Sequence, residues 1–350
     1  MSSRFVDSPE QAELARGARA FVERRIPVAA LRGVRARPAD DRIDRALWRE
    51  CAQLGWAGIL VGEGDGGAGL GMIEAGLVAE QLGRTLAPTP FLSTAIIGGT
   101  LVPSPALAGG DQLVALALDE TPFFDARASC ETIIRDRGVI GAKRNVLDGP
   151  AADRVIVRTQ DALAIVDARG PGVTITALDR VDSRSVADLR FDRAPVIDTL
   201  SLDHLDRAIT RATAALAAEM LGGADAVFAT TLAYLKERRQ FGVPIGSFQA
   251  LKHRAAQIFC ELELTRSIVR AALAALDANA PDAEPLVSAA KARASDTYLL
   301  ATAEAIQMHG GIGVTDELDI GLYYKRAMAA SMLFGDAAYH RDRFARVAGY

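Results

Sequence analysis

The hydrophobic period changes twice along this chain, and that limits its fold more than any single residue does. From about Asp111 the apolar residues fall into short β-branched runs: Gln112–Leu118, Asp153–Arg158, Asp161–Val166 and Val173–Thr176. Turn signals such as Leu147-Asp-Gly-Pro150 and Arg169-Gly-Pro-Gly172 separate them, and the series closes at Val186-Ala-Asp-Leu-Arg-Phe191 and Pro195. The runs predict a small antiparallel β domain over residues 111–197. Ahead of it, Ser8-Pro9-Glu10-Gln11 has the N-cap and early proline of a helix that reaches Arg25. A basic, proline-containing link from Arg32 to Pro38 then leads to a second helix, Ile43 to Leu54. From about Thr199 the pattern is helical to the end. Three domains are expected: a helical one over 1–110, the β domain, and a helical bundle over 198–350.

Composition narrows the function. The chain has 350 residues and a formal net charge of −4, with its arginines interleaved among acids, which argues against a general nucleic-acid binder. Cys51, Cys130 and Cys260 lie far apart with no metal-ligand spacing, so no metal is expected, and the thiols read as reduced, buried small hydrophobes. The first residues lack an apolar stretch of signal-peptide type. A soluble, cytoplasmic protein without a membrane partner is the expectation. The glycine-dense segment Gly55–Leu70 has neither a following Lys-Ser/Thr nor a preceding βαβ unit, which excludes a phosphate-binding P-loop.

Two stretches near helix ends carry chemistry. In Tyr234-Leu-Lys-Glu-Arg-Arg-Gln-Phe-Gly-Val-Pro-Ile-Gly-Ser-Phe248, Arg238 and Arg239 stand where a helix dipole favours cations. Gly242, Pro244 and Gly246 break the helix there, and Ser247 takes the N-cap place of the next one. In Gln307-Met-His-Gly-Gly-Ile-Gly313, closely spaced glycines let backbone amides approach a phosphate or a sugar.

Together these stretches resemble the C-terminal domain of the acyl-CoA dehydrogenase superfamily of flavoproteins. The matching residues are Tyr234, Arg238, Phe241, Gly242, Ile245, Phe248, Gln249 and His253, then Gln307, Gly310, Gly311, Gly313 and Glu317. Glu80-Gln-Leu-Gly-Arg84 and Leu86-Ala-Pro88 also resemble superfamily segments, so the resemblance covers nearly the whole chain. It implies a mostly α architecture: an N-terminal helical domain, a middle β-barrel and a C-terminal four-helix bundle. It also implies FAD as cofactor and an acyl-CoA thioester as substrate, desaturated by loss of an α-proton to a carboxylate and of a β-hydride to the flavin. By resemblance, Arg238 meets the pyrophosphate of a neighbouring subunit's FAD. Gln307, Gly310 and Gly311 line its adenosine-pyrophosphate end, and Phe241 and Gln249 lie near that shared site. An oligomer follows.

Two departures from the family pattern change the reading. Where relatives place a catalytic glutamate, this chain has Met332-Leu-Phe-Gly-Asp336, with Gly335 at the glutamate position and Asp336 one place later. At the alternative base position, near Ala212, no acid matches, and Glu219 and Asp206 stand at other offsets. In the β domain, relatives carry flavin-ring signatures where this chain has Leu118-Asp-Glu-Thr-Pro122 and Gly141-Ala-Lys-Arg-Asn145. The expectation is a catalytically incomplete short subunit, paired with a homologous larger dehydrogenase that supplies the base and supports the isoalloxazine. The resemblance is to actinobacterial pairs acting on steroid-derived CoA thioesters, within lipid metabolism. Two alternatives stay open: a homo-oligomer using Asp336 as base, and a non-catalytic acyl-CoA-binding or scaffold subunit. Trp48 and Trp56 read as core, His253 as a surface or core residue, and His309 as a backbone cap of the glycine turn. Tyr323–Arg326 reads as a helix face, with an interface or a CoA-phosphate contact as the other readings, and solvation explains the arginines at 341, 343 and 346.

Overall fold

The computed structural model describes residues 7–125 and 128–349. In chain order its helices are α1 (Pro9–Arg25), α2 (Val28–Arg35), α3 (Arg45–Gln53), α4 (Met72–Arg84), α5 (Gly99–Leu101) and α6 (Pro105–Ala108), and after the sheet α7 (Asp203–Glu237), α8 (Gln249–Asp277), α9 (Ala283–His309), α10 (Ile320–Met332) and α11 (Ala337–Val347). A π-helical segment, Phe91–Gly98, leads into α5. The strands are β1 (Val114–Ala117), β2 (Ile133–Arg135), β3 (Gly138–Leu147), β4 (Arg154–Arg158), β5 (Leu163–Asp167), β6 (Val173–Asp179) and β7 (Ser185–Leu200), with a two-residue hairpin, β8 (Arg239–Gln240) and β9 (Val243–Pro244). The chain is mostly helical with a middle β sheet, as expected. It forms two compact units, one of Met1–Ala30, Gly76–Ala87 and Thr213–Tyr350, the other of Leu31–Ala75 and Pro88–Ala212.

In the second unit the sheet runs β1-β4-β5-β7-β3-β2, with β6 also on β7. Alternate residues of these strands, among them Val155, Val157, Ala164, Val166, Leu189 and Phe191, form its buried core. The sheet departs from expectation in one pairing: β1 lies parallel to β4, with Val114 opposite Arg154. A parallel pair needs a long crossover, and β2 and β3, unseen in the sequence patterning, lie within it. All eight residues of the π segment are buried. Its Thr94 hydroxyl donates to the Val114 carbonyl at 3.2 Å and accepts from the Val114 amide at 3.0 Å, fixing the edge of β1.

The first unit holds α1, α8 to α11 and most of α4 and α7. Ser8 and Gln11 form the reciprocal capping box at the start of α1. Glycine lets α4 and α7 touch backbone to backbone: a Cβ at Gly83 would lie 1.9 Å from the Glu219 carbonyl oxygen, and one at Gly222 would lie 1.8 Å from that of Glu80. Around this contact Glu80 accepts from Arg266 at 3.2 Å and from Arg270 at 3.3 Å, and Asp225 accepts from Arg266 at 3.2 Å.

Several local expectations are corrected. Arg32–Arg35 belong to α2, because Leu31 and Val34 are buried and give an apparent basic link an apolar face. Ser247 does not cap α8. Its hydroxyl donates to the Pro244 carbonyl at 2.7 Å inside a 3₁₀ turn, and Phe248 holds the cap position without a side-chain bond. Of the three free thiols only Cys51 is buried, Cys130 is half-buried and Cys260 is exposed. Tyr323 and Arg326 are buried. Arg326 lies 3.4 Å from the Glu219 carboxylate, which accounts for that acid in the core. Arg341, Arg343 and Arg346 pair with Asp296, Glu284 and Asp342. Trp48 and Trp56 are core residues.

Candidate functional site

The basic corner is built by three short-range contacts. The Arg238 amide continues α7 by donating to the Tyr234 carbonyl at 2.9 Å, and the Ile245 amide returns to the Arg238 carbonyl at 2.8 Å. Between them β8 and β9 pair tightly, turning at Phe241 and Gly242 with φ of 53° and 81°. Two consecutive positive φ values match the twist of a tight hairpin, and a phenylalanine tolerates the first only at a cost in strain. Gly246 follows because a Cβ there would meet the Leu235 carbonyl oxygen at 2.8 Å.

The glycine turn arrives at the same place from α9. The His309 ring stacks on Tyr234, centroids 4.2 Å apart, and its Nδ1 lies 2.8 Å from the Ala305 carbonyl. The Tyr234 hydroxyl donates to the His309 carbonyl at 3.4 Å, so the ends of α7 and α9 are tied together. The result is a cleft of about 590 Å³ whose lining includes Arg238, Phe241, Gln307, Gly310 and Gly311, with Gln240 and Ile312. Gln249, the first residue of α8, is exposed and outside this lining, and His253 is exposed as well. Gln240 carried no signal in the sequence, because its role follows from the hairpin that places it.

The chemistry of the cleft fits an anionic ligand with a flat apolar part. Arg238 is exposed and, among the described residues, makes no ion pair. No atom lies near the Cβ positions of Gly310 and Gly311, which leaves their backbone open to a close approach. Phe241 is 90% exposed, with Phe248 edge-on at 6.0 Å, and Val314 is 76% exposed. An apolar rim of this kind marks a surface that something covers. The donor set therefore fits the pyrophosphate and adenosine end of FAD.

The turn at the candidate base position is gripped from inside. Phe334 and Gly335 both have positive φ, 57° and 102°, and a Cβ at Gly335 would lie 2.4 Å from the Tyr339 ring. The fully buried Lys291 donates to the Gly335 carbonyl at 2.9 Å, the Ser331 carbonyl at 3.1 Å and the Ser295 hydroxyl at 3.2 Å. Burial lowers this amine to about 7, against the opposing charge of Asp336. His340 Nε2 lies 2.9 Å from the Phe334 carbonyl, and burial with the nearby Lys291 charge lowers the imidazole to about 3. Asp336 itself caps α11, accepting from the Tyr339 amide at 2.8 Å.

The β-domain segments that depart from the flavin-ring signatures close on themselves. The Glu120 carboxylate accepts from Lys143 Nζ at 2.7 Å, Thr132 Oγ1 at 2.6 Å, and the amides of Glu131 and Thr132 at 2.7 and 2.9 Å. Burial pushes this acid up, but those donors outweigh it and hold the carboxyl well below the usual range. Neighbouring Asp119 goes the other way, raised to about 6 by burial that Lys143 only partly offsets. Sequence patterning offered no signal for this cluster, which depends on β3 and on the loop before β2.

Comparison with known proteins places similarity along most of the chain. The family model for the acyl-CoA dehydrogenase N-terminal domain matches residues 8–111, and that for the C-terminal domain matches residues 205–349. Acyl-CoA dehydrogenase IpdE2 of Mycobacterium tuberculosis is 35% identical over 312 residues, covering 86% of each chain. Among solved structures, a variant of the Tcur3481-Tcur3483 steroid ACAD is 29% identical with a TM-score of 0.89, covering 97% of this chain and 98% of its own. The ChsE4-ChsE5 complex of Mycobacterium tuberculosis is 25% identical with a TM-score of 0.88, covering 99% and 98%.

Proposed function

The chain belongs to the acyl-CoA dehydrogenase family, and from that premise we propose that it is the shorter, catalytically incomplete subunit of a heteromeric enzyme. FAD, when bound, supplies the hydride acceptor. This chain's Arg238, Gln307, Gly310 and Gly311 hold the pyrophosphate and adenosine of that cofactor, and Phe241 and Gln249 lie at the edge of the same shared site. A homologous larger subunit supports the flavin ring and brings the carboxylate base. The substrate class is a bulky acyl-CoA thioester of steroid origin, a reading supported by the steroid ACAD among the similar structures. The two-protein composition of that structure and of the ChsE4-ChsE5 complex supports the paired assembly.

One observation carries the reading: the cleft keeps its Arg238 cation exposed and without an ion pair among the described residues, while Glu120 and Lys143 in the β domain are spent on each other. The reacting-group side agrees. Gly335 has no carboxylate, and Asp336 holds its acid as a helix cap. What this chain contributes is orientation and charge neutralisation of a cofactor, which set reactivity without any bond to the substrate.

The flavin content of the complex, purified after co-expression with a larger dehydrogenase chain, tests this. One FAD for each pair of chains is the expected result, and one FAD per chain overturns it. A yellow, active preparation of this chain alone favours the homo-oligomer with Asp336 as base. A complex without a visible flavin band favours a scaffold subunit.

A further inference from the structure

Outside the cofactor cleft, the β domain brings a thiol and an amine into contact. Lys143 Nζ lies 3.3 Å from Cys130 Sγ, and both touch the Glu120 carboxylate, at 2.7 and 3.2 Å. Lys143 is fully buried, so its amine is confined between the Leu118 carbonyl at 3.2 Å, Glu120 and the sulfur. Cys130 is half-buried and sits in the segment between β1 and β2, outside regular structure, so the residue is partly open to solvent. Its other neighbours are carbonyls, that of Arg158 at 3.4 Å and that of Thr132 at 3.7 Å. No step of acyl-CoA dehydrogenation uses this pair.

We propose that Cys130 and Lys143 are a redox modification site that closes into a covalent sulfur–nitrogen crosslink when a peroxide oxidises the thiol. In the first step the Cys130 sulfur attacks one peroxide oxygen. The O–O bond breaks, the sulfur becomes a sulfenic acid, and the peroxide is reduced to water. In the second step the neutral Lys143 amine attacks that sulfur, the S–O bond breaks, and a second water leaves. The site loses two hydrogens as an S–N bond forms, and the proton carried by the lysine ammonium passes through Glu120 to solvent. Glu120 contacts both partners and holds them against each other. Burial, with the Glu120 carboxylate beside it, raises the Cys130 thiol above its ordinary value while Lys143 opposes the rise, so the first step is slow. The crosslink ties the segment before β2 to β3 and removes the buried lysine charge.

Peptide mapping of the full-length chain, purified with its partner and treated with graded hydrogen peroxide, tests the site. The expected product is a Cys130–Lys143 linked peptide, lighter than the sum of its parts by two hydrogens, with tryptic cleavage lost at Lys143. A thiol reductant reverses it. The conservative Cys130→Ser chain gives no such product. Lys143→Met leaves Cys130 as a trappable sulfenic acid. The exposed Cys260 serves as an internal dosimeter. If Cys130 stays a thiol, or passes to sulfinic acid unlinked, at doses that fully oxidise Cys260, the proposal falls. Because the readout is a mass, its failure leaves the flavin stoichiometry untouched, and the two readings stand or fall separately.

Discussion

The cleft at the ends of α7 and α9 and the polar cluster of the β domain are built from similar side chains and treat them in opposite ways. In the cleft Arg238 is exposed and makes no ion pair among the described residues, and the Cβ sides of Gly310 and Gly311 face open space. In the cluster Lys143 has no exposure at all and donates to three acceptors. A buried cation must be paired, since an isolated one costs several kcal/mol, whereas an exposed cation is free to serve a ligand. Family-like residues survive where the groups are left unsatisfied, and the family signature is missing where they are satisfied internally. That contrast separates an open cleft with an exposed cation from a cluster whose charges are paired internally.

The comparison can be broken at four points. The largest effect is expected from Glu120→Gln, which leaves Lys143 buried without its counter-charge and costs about 3–5 kcal/mol of stability. A denaturant titration measures it, and a loss under 1 kcal/mol would mean the cluster is not sealed. Replacing both partners, as Glu120→Leu with Lys143→Met, recovers most of the loss. Next, Arg238→Ala in the purified complex should weaken flavin retention roughly tenfold to a hundredfold, with Lys intermediate, because a charge-assisted bond to phosphate is lost. Equilibrium dialysis of the flavin reads this, and unchanged retention removes Arg238 from the site.

The third point is pH. Lys291 has a folded value of about 7, below its ordinary 10.5, so the unfolded chain holds more protons between those limits and stability rises with pH across that window. His340, lowered from 6.5 to about 3, makes stability fall as pH drops through that range. Unfolding followed across pH should show both slopes, and Lys291→Met should flatten the alkaline one and shrink the acid one, because part of the His340 depression comes from the Lys291 charge. The smallest effect belongs to Asp336→Asn. Asparagine caps helices as well as aspartate does, so stability should shift by less than about 0.5 kcal/mol. In the paired enzyme, turnover should stay the same, and a large loss in kcat would return Asp336 to the chemistry.

Much of the architecture was legible because it rests on local periodicity. The Ser8 cap and Pro9 at the start of α1, the strands from Arg154 to Asp179 and the long C-terminal helices all appear where the patterning puts them. Missed elements had mixed signals. β3 contains Lys143, Arg144 and Asn145, whose polar run hides a strand that buries the lysine. The α2 helix hid behind arginines whose stems flank two buried apolar residues. Ser247 has the right composition for a cap, yet Pro244 stands three residues back and offers a nearer acceptor.

By itself the sequence determined the helical, β and helical order, the family, and most of the named residues that line the cleft, because these depend on periods and motifs that are local in the chain. It also determined that position 335 lacks a carboxylate. Only the tertiary structure decided that Arg238, Gln240 and Gly310 share one cleft, that β1 runs parallel to β4, and that Lys143 is spent on Glu120 beside Cys130. Those facts depend on which distant segments meet, and on which polar groups are left facing water once they do. A residue's type and spacing do not encode that until packing has set what surrounds it.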